Sequence, residues 1–221
     1  MLPRRDIPEL LDDDLGRPDE IDLSLADLRR INRWFGGIST SDSLLRRAVR
    51  KAGASSLSVL EVGGASGTSQ KQLQRRFCRR GISLHFTILD RNRSHLNGQF
   101  PSVAGDALEL PFADSSFDVV SCALLIHHMQ PEQIIAFLRE SLRVARTAVV
   151  INDLRRAYAH LALIYTGLPL FRSRLTRHDA VASVHRSYTL SELKQLIDGG
   201  FSNSVEFSSH YLFRMGVIVW K

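Results

Sequence analysis

Cysteine is scarce in this chain: only Cys78 and Cys122 occur among 221 residues, far apart in sequence. Both read as reduced residues of a cytosolic protein rather than as a disulfide framework. Long apolar runs are missing as well. The longest mostly apolar stretch, residues 157–171, is interrupted by His160, Gly167 and Pro169 and falls short of the roughly 20 residues that a membrane span requires. The N-terminus lacks the apolar core of a signal peptide, so the expectation is a soluble, cytoplasmic protein. No internal repeat or low-complexity tract is present. A length of 221 residues suits one α/β domain carrying a small cap.

Two nucleotide-binding signatures are absent from the one stretch that invites them. The run Val59, Leu60, Glu61, Val62, Gly63, Gly64, Ala65, Ser66, Gly67, Thr68 reads as a buried parallel strand, a glycine-rich turn and the start of a helix. Glycines let a backbone approach a ligand closely, and a helix N-terminus offers unpaired N–H groups. A dinucleotide fingerprint needs GxGxxG, whereas Gly63 and Gly67 stand four apart with no third glycine at Thr68 to Gln70. A P-loop needs a Lys after its last glycine, and none follows Gly67. Both NAD and ATP hydrolysis are therefore disfavoured.

Acidic charge is in deficit. Lys and Arg number 29 against 23 Asp and Glu, a formal +6, and part of the excess lies in Arg75, Arg76, Arg79 and Arg80 and in Arg172, Arg174 and Arg177. Such a balance fits nucleic acid, an acidic metabolite, an anionic membrane surface or merely solvated helix faces. Charge alone names no partner.

Along the chain, residues 1–18 mix Pro, Asp and Arg without period and read as an arm laid on the surface or partly disordered, carrying no legible chemistry. Ile21, Leu25, Leu28 and Ile31 mark an amphipathic helix running into Trp34 and Phe35, and a second helix is expected over 43–52 with Ser41 or Asp42 as its cap. After the first strand and its loop come a helix over 68–80, strands over 83–90, 102–104 and 117–125, a helix opened by Pro131, and a strand over 148–151. Residues 153–171 read as an apolar helix and 172–186 as a basic linker or lid. Thr189 to Glu192 forms a capping box for a helix over 190–197, and the runs 205–213 and 215–220 read as an antiparallel pair at a sheet edge. Strands alternating with helices argue for a doubly wound, mainly parallel sheet with helices on both faces. The expected division is an arm and helical cap over 1–53 and a ligand-binding domain over 54–221.

Ligands of such sheets sit outside the carboxyl ends of the strands. There the pattern Glu-x-Gly-x-x-x-Gly at Glu61 to Gly67 resembles motif I of the class I S-adenosylmethionine-dependent methyltransferases. Gly105 to Phe112 resembles the third cofactor motif, and Pro111 to Val120 resembles the "lPFaDssFDvV" pattern of relatives of the ubiquinone and menaquinone biosynthetic enzymes. The resemblance covers about 57–151 and implies a seven-stranded sheet of order 3-2-1-4-5-7-6 with the last strand antiparallel. It implies S-adenosylmethionine as cofactor, with Glu61 and the backbone of Gly63, Gly64, Ala65 and Gly67 at the methionine end. Asp90 would accept the ribose hydroxyls, Asp106 and Ala107 would meet the adenine edge, and Arg91 and Leu124 would complete the cofactor site. Ala65 stands where the family usually has a glycine. A positive φ there costs about 1 kcal/mol, so a negative φ or a shifted loop is expected.

His127 and His128 follow the fourth strand where many relatives carry a His pair. Either one takes a proton during transfer, His127 ahead of His128, or both are structural. Two adjacent histidines with no third ligand at sensible spacing make no metal site, so no metal is expected. Trp34, Phe35, Arg155, Tyr158, His160 and the basic run to Arg186 are candidate substrate contacts, Tyr158 equally readable as part of a packed helix face. The implied function is methyl transfer to a small molecule, an oxygen or else a carbon of a phenolic, quinone-like or polyketide-type acceptor, by a monomer or homodimer. The chain has Cys122 to Leu125 where methylases of nucleobase or glutamine nitrogens carry an Asn-Pro-Pro motif, which disfavours nucleic acid. An RNA methyltransferase and a noncatalytic cofactor-binding protein are the alternatives.

Overall fold

In the computed structural model, the described residues are 2–11, 16–93, 96 and 98–221. Met1 and part of the expected arm, residues 12–15, lie outside them. The elements in chain order are α1 (Pro18–Trp34), α2 (Gly37–Ala52), β1 (Ser56–Val62), α3 (Thr68–Cys78), β2 (Ser83–Asp90), β3 (Ser102–Ala104), β4 (Phe117–Ala123), α4 (Pro131–Val144), β5 (Ala145–Leu154), α5 (Tyr158–Gly167), α6 (Arg174–Arg186), α7 (Leu190–Asp198), β6 (Val205–His210) and β7 (Arg214–Trp220). The seven strands form one sheet of order β3-β2-β1-β4-β5-β7-β6. β1 to β5 run parallel, and β7 pairs antiparallel with both β5 and β6. This is the expected doubly wound topology.

Alternation along each strand divides the core between two faces. Leu60, Val62, Val120, Cys122, Val149, Ile151 and Val217 pack with Ile134 and Phe137 of α4 and Leu193 of α7. Their neighbours Val59, Val119, Val150 and Ile218 pack on the other face with Leu44, Leu45 and Ala48 of α2 and Leu73 and Phe77 of α3. A strand covered on both faces has no solvent side to mark with polar residues, which is why these segments are continuous apolar runs. No helix among the described residues is long and apolar enough to cross a membrane.

Three segments depart from the sequence expectations. β5 continues through Asn152, Asp153 and Leu154 because β7 pairs with it along the whole stretch, Leu154 opposite Arg214. The following helix therefore starts at Tyr158 rather than at 153. The segment expected as a basic linker contains α6, with Leu175, Ala182 and Val184 buried and the Ser173 hydroxyl accepting from the Leu175 N–H at its start. The arm, by contrast, lies on the surface as one of its two expected readings has it. Arg156 donates to the Leu2 carbonyl, the Arg5 N–H donates to the His185 carbonyl, and the Leu10 and Leu11 N–H groups donate to the two Asp179 carboxylate oxygens at 2.8 and 3.1 Å.

The second helix also begins earlier than expected. It starts at Gly37 after Gly36 in the left-handed region (φ 77°), so Ser41 and Asp42 are internal and buried instead of capping. The Asn152 amide reaches into this turn, donating to the Gly37 carbonyl and the Ser41 hydroxyl at 2.8 Å each.

Asp27 of α1 carries the contact between the cap and α6. Its carboxylate is buried and accepts from the Arg172 and Ser173 N–H groups at 2.7 and 3.0 Å. Asp27→Ala leaves both donors without that partner and is expected to lower the unfolding free energy by about 2 kcal/mol in urea titrations.

Candidate functional site

A single cavity of about 830 Å³ opens above the carboxyl ends of the central strands. One end is built by the glycine loop and the tips of β2 and β3, the other by the β4 turn, the N-terminal arm, α1 and α6. Glu61, Gly63, Gly64, Ala65, Asp90, Arg91, Asp106, Ala107 and Leu124 all line it. Gly67 does not. It precedes α3 with φ 68°, and a Cβ there would lie 2.7 Å from the Phe100 ring, so its part is to shape the turn.

The loop is tied to the second strand. Ala65 has φ 44°, in the left-handed region, which corrects the expectation of a negative φ. Its N–H donates to Asp90 Oδ2 at 2.9 Å, and the other Asp90 oxygen accepts from the Asn92 N–H at 3.0 Å. This hydrogen bond holds the strained alanine where a glycine would sit without strain. Asp106 accepts from the Leu108 N–H at 2.9 Å, and Leu124, also left-handed with φ 58°, donates its N–H to the Asn152 carbonyl.

Glu61 is the electrostatic feature of this end. It is 2% exposed and has no ion-pair partner among the described residues. Burial raises its carboxyl to about 7, against the opposing hydrogen bonds of Ser121 and Gln70. A buried carboxyl poised at neutral pH on the wall of a cavity fits a ligand carrying positive charge.

At the other end, His127 is buried between two carboxylates. Its Nδ1 lies 2.7 Å from Asp153 Oδ1 and its Nε2 lies 3.4 Å from Glu9 Oε1. Asp153 is wholly buried and also accepts from the Ile126, His127 and Leu154 N–H groups. Burial by itself disfavours the imidazolium, but Asp153 and Glu9 overcome it and raise His127 to about 10. Both carboxylates are lowered in turn, although burial opposes that shift. At neutral pH His127 is thus an imidazolium held between two carboxylates. His128 lines the same wall, its ring centroid 4.1 Å from that of His127.

Glu9 also supplies a third donor that the sequence spacing did not reveal. Glu9, His127 and His128 place ligand atoms within 4.8 Å of one another, a geometry able to hold a cation. Here Glu9 and His127 satisfy each other as an ion pair.

Of the expected substrate contacts, Phe35 lines the cavity. Trp34, Arg155 and Tyr158 lie off the lining. Trp34 is 61% exposed with the Arg30 guanidinium 5.4 Å from its ring, and Tyr158 is 62% exposed. Arg155 reaches Ser209 and the Phe213 ring. The outer wall is made instead by Glu9, Asn32, His160, Asp179, Ser183 and Arg214. Of these only His160 stood out in the sequence. Its charged form is disfavoured by burial, to about 4, and its Nδ1 faces the Arg155 carbonyl.

Residues 60–151 match the model of the methyltransferase domain family. No curated protein matches the chain in sequence. Among solved structures, the plantazolicin methyltransferase BpumL in complex with S-adenosylhomocysteine is 14% identical, with a TM-score of 0.72, 96% of this chain and 94% of that one covered. A SAM-dependent methyltransferase from Aquifex aeolicus is 16% identical, with a TM-score of 0.62 and coverage of 92% and 99%. The citrinin polyketide synthase CMeT domain is 12% identical, with a TM-score of 0.59, and is covered over 51% of its length by 82% of this chain. At these identities the likenesses establish the fold.

The buried Glu61 has a consequence for stability. Its proton is bound more tightly in the folded state (about 7) than in the unfolded chain, so the contribution of Glu61 to stability falls as pH rises from about 4.5 through 7 and is constant above. Glu61→Gln, which has no charge to bury, is expected to melt several degrees above wild type at pH 8 and at about the same temperature at pH 4.5, read by thermal denaturation of the ligand-free protein.

Proposed function

We propose that this chain, an S-adenosylmethionine-dependent methyltransferase of the class I fold, methylates an oxygen of a small phenolic, quinone-like or polyketide-type acceptor. The observation that carries the reading is the continuity of one cavity from the glycine loop to the Glu9–His127–Asp153 relay. Residues 54–221 form the catalytic unit in this reading, and 1–53 cap it.

S-adenosylmethionine supplies a methyl group made electrophilic by its sulfonium. Glu61 meets the positive charge of the methionine end, with the Gly63, Gly64, Ala65 and Leu124 backbone around it and Gly67 setting the turn. Asp90 receives the ribose hydroxyls while it braces Ala65. Asp106 and Ala107 take the adenine edge, and Arg91 flanks the ribose side. These roles fit the charge and placement of the side chains on the cavity wall.

Methyl transfer to a hydroxyl requires that its proton leave, and the protein's contribution is alignment and a place for that proton. Glu9 accepts it. His127, fixed by Asp153, holds a positive charge against Glu9 and against the oxygen as it sheds its proton, and His128 closes the wall beside it. The arm and α6 roof this end, which keeps water from competing for the methyl group.

Small natural products suit the chain better than RNA. The plantazolicin methyltransferase BpumL was crystallised with triazolic and monoazolic desmethylPZN analogues, and the citrinin domain belongs to a polyketide synthase. The arginine clusters are partly engaged locally: Arg80 pairs with Asp42, Arg174 with Glu20, and Arg177 donates to the Phe171 carbonyl.

Calorimetry with S-adenosylmethionine and S-adenosylhomocysteine tests the cofactor half of the reading. Wild type is expected to bind both, and Asp90→Ala to bind at least tenfold more weakly; absence of binding to folded wild type overturns it. In assays of labelled methyl transfer to a panel of phenolic and polyketide-type hydroxyl compounds, Glu9→Gln is expected to lower kcat about 100-fold with S-adenosylhomocysteine affinity unchanged.

A further inference from the structure

Arg214 heads the large side chains that are fully buried among the described residues, at 1% exposure. It opens β7 opposite Leu154, at the same end of the sheet as the glycine loop, and lines the cavity. One of its nitrogens, Nη2, donates to Asn32 Oδ1 at 2.9 Å. Nε and Nη1 have no hydrogen-bond partner among the described residues. Buried guanidinium donors without acceptors are rare, because each forfeits its bonds to water on folding.

No nearby acid satisfies it. The carboxylate that acts on it electrostatically is Asp153, whose oxygens are already engaged by the Ile126, His127 and Leu154 donors. His160, the titratable neighbour from α5, is held neutral and brings no negative charge. The surrounding backbone is shaped to present the arginine. Leu212 and Phe213 both sit in the left-handed region at φ 51° and 61°, and a Cβ on Gly36 would come within 3.7 Å of the Arg214 side chain.

We propose that Arg214 anchors a carboxylate on the methyl acceptor, so that the substrate is a hydroxy acid whose hydroxyl lies against Glu9 and His127 while its carboxylate meets the guanidinium. The proposal rests on the methyl-transfer reading above and narrows its substrate class. A planar, permanently charged group with several donors matches a carboxylate. A phosphate dianion suits the site less, since one arginine would have to offset two charges beside the ionised Asp153.

Arg214 stands apart from the glycine loop. Glu61 on β1 and Arg214 on β7 are separated by β4 and β5, three strand spacings or about 14 Å. Asp90 and Asp106, at the nucleoside end, lie farther still in the opposite direction. Asp153, by contrast, precedes Leu154, the residue directly opposite Arg214, so the anchor lies on the strand next to the one that holds the relay's Asp153.

The test uses full-length protein saturated with S-adenosylhomocysteine, with 4-hydroxybenzoate and its amide, 4-hydroxybenzamide, as probes in calorimetry or saturation-transfer NMR. Wild type is expected to bind the acid at least tenfold more tightly than the amide, and Arg214→Gln to lose that preference with S-adenosylhomocysteine affinity unchanged. Equal binding of acid and amide, no binding of the acid, or a preference that survives in Arg214→Gln overturns the proposal. Weakened S-adenosylhomocysteine binding in Arg214→Gln also overturns it, by assigning the arginine to the cofactor. The comparison of acid with amide needs only wild type, so it decides the matter even if the variant does not fold. If wild type fails to bind S-adenosylhomocysteine at all, it is the methyl-transfer reading that fails.

Discussion

The buried carboxylate of Asp153 is the interaction on which the His127 end of the cavity depends. It sits at the end of β5 and gathers the Ile126, His127 and Leu154 N–H groups together with His127 Nδ1. Those contacts fix the turn after β4, point His127 Nε2 at the cavity and leave it facing Glu9. A carboxylate removed from water is costly unless its charge is matched and its lone pairs are filled. The imidazolium supplies the charge, and the backbone donors fill the rest.

The same accounting explains why the cavity is a site rather than a packing defect. Among the described residues on its wall, Glu61 has no cation and Arg214 has two nitrogens without a hydrogen-bond partner. They stand at opposite ends, negative beside the glycine loop and positive beside β7. A cationic cofactor and an anionic acceptor would each remove one of these costs, in an order along the sheet that places the relay between them. Protein interiors satisfy their polar groups almost completely, so those left over point to ligands.

The glycine-loop end of the cavity was legible in the sequence because it is local. Glu61 to Gly67, Asp90 and Asp106 each sit at a strand end that hydrophobic patterning had already located, and the strand order then brings them together. Even there the backbone at Ala65 was misjudged, since the hydrogen bond from its N–H to Asp90 crosses between strands and no spacing rule reveals it. The His127 end was largely illegible. Glu9 reaches His127 across more than a hundred residues, from an arm without periodicity. Asp153 was hidden by reading the end of β5 as the start of a helix, an error that the β7 partner corrects. Trp34 looked like a pocket aromatic by its type, but its position at the end of α1 turns it to solvent.

The central claim, that His127 is held as an imidazolium between Glu9 and Asp153, is open to a direct measurement. Nitrogen-15 NMR of selectively labelled histidine in the full-length protein at pH 8 reports the protonation of both ring nitrogens. The account predicts that His127 shows two protonated nitrogens there, and that it loses a proton only as the pH approaches about 10. A His127 ring that is singly protonated at pH 8 and titrates near the ordinary value of about 6.5 would contradict it.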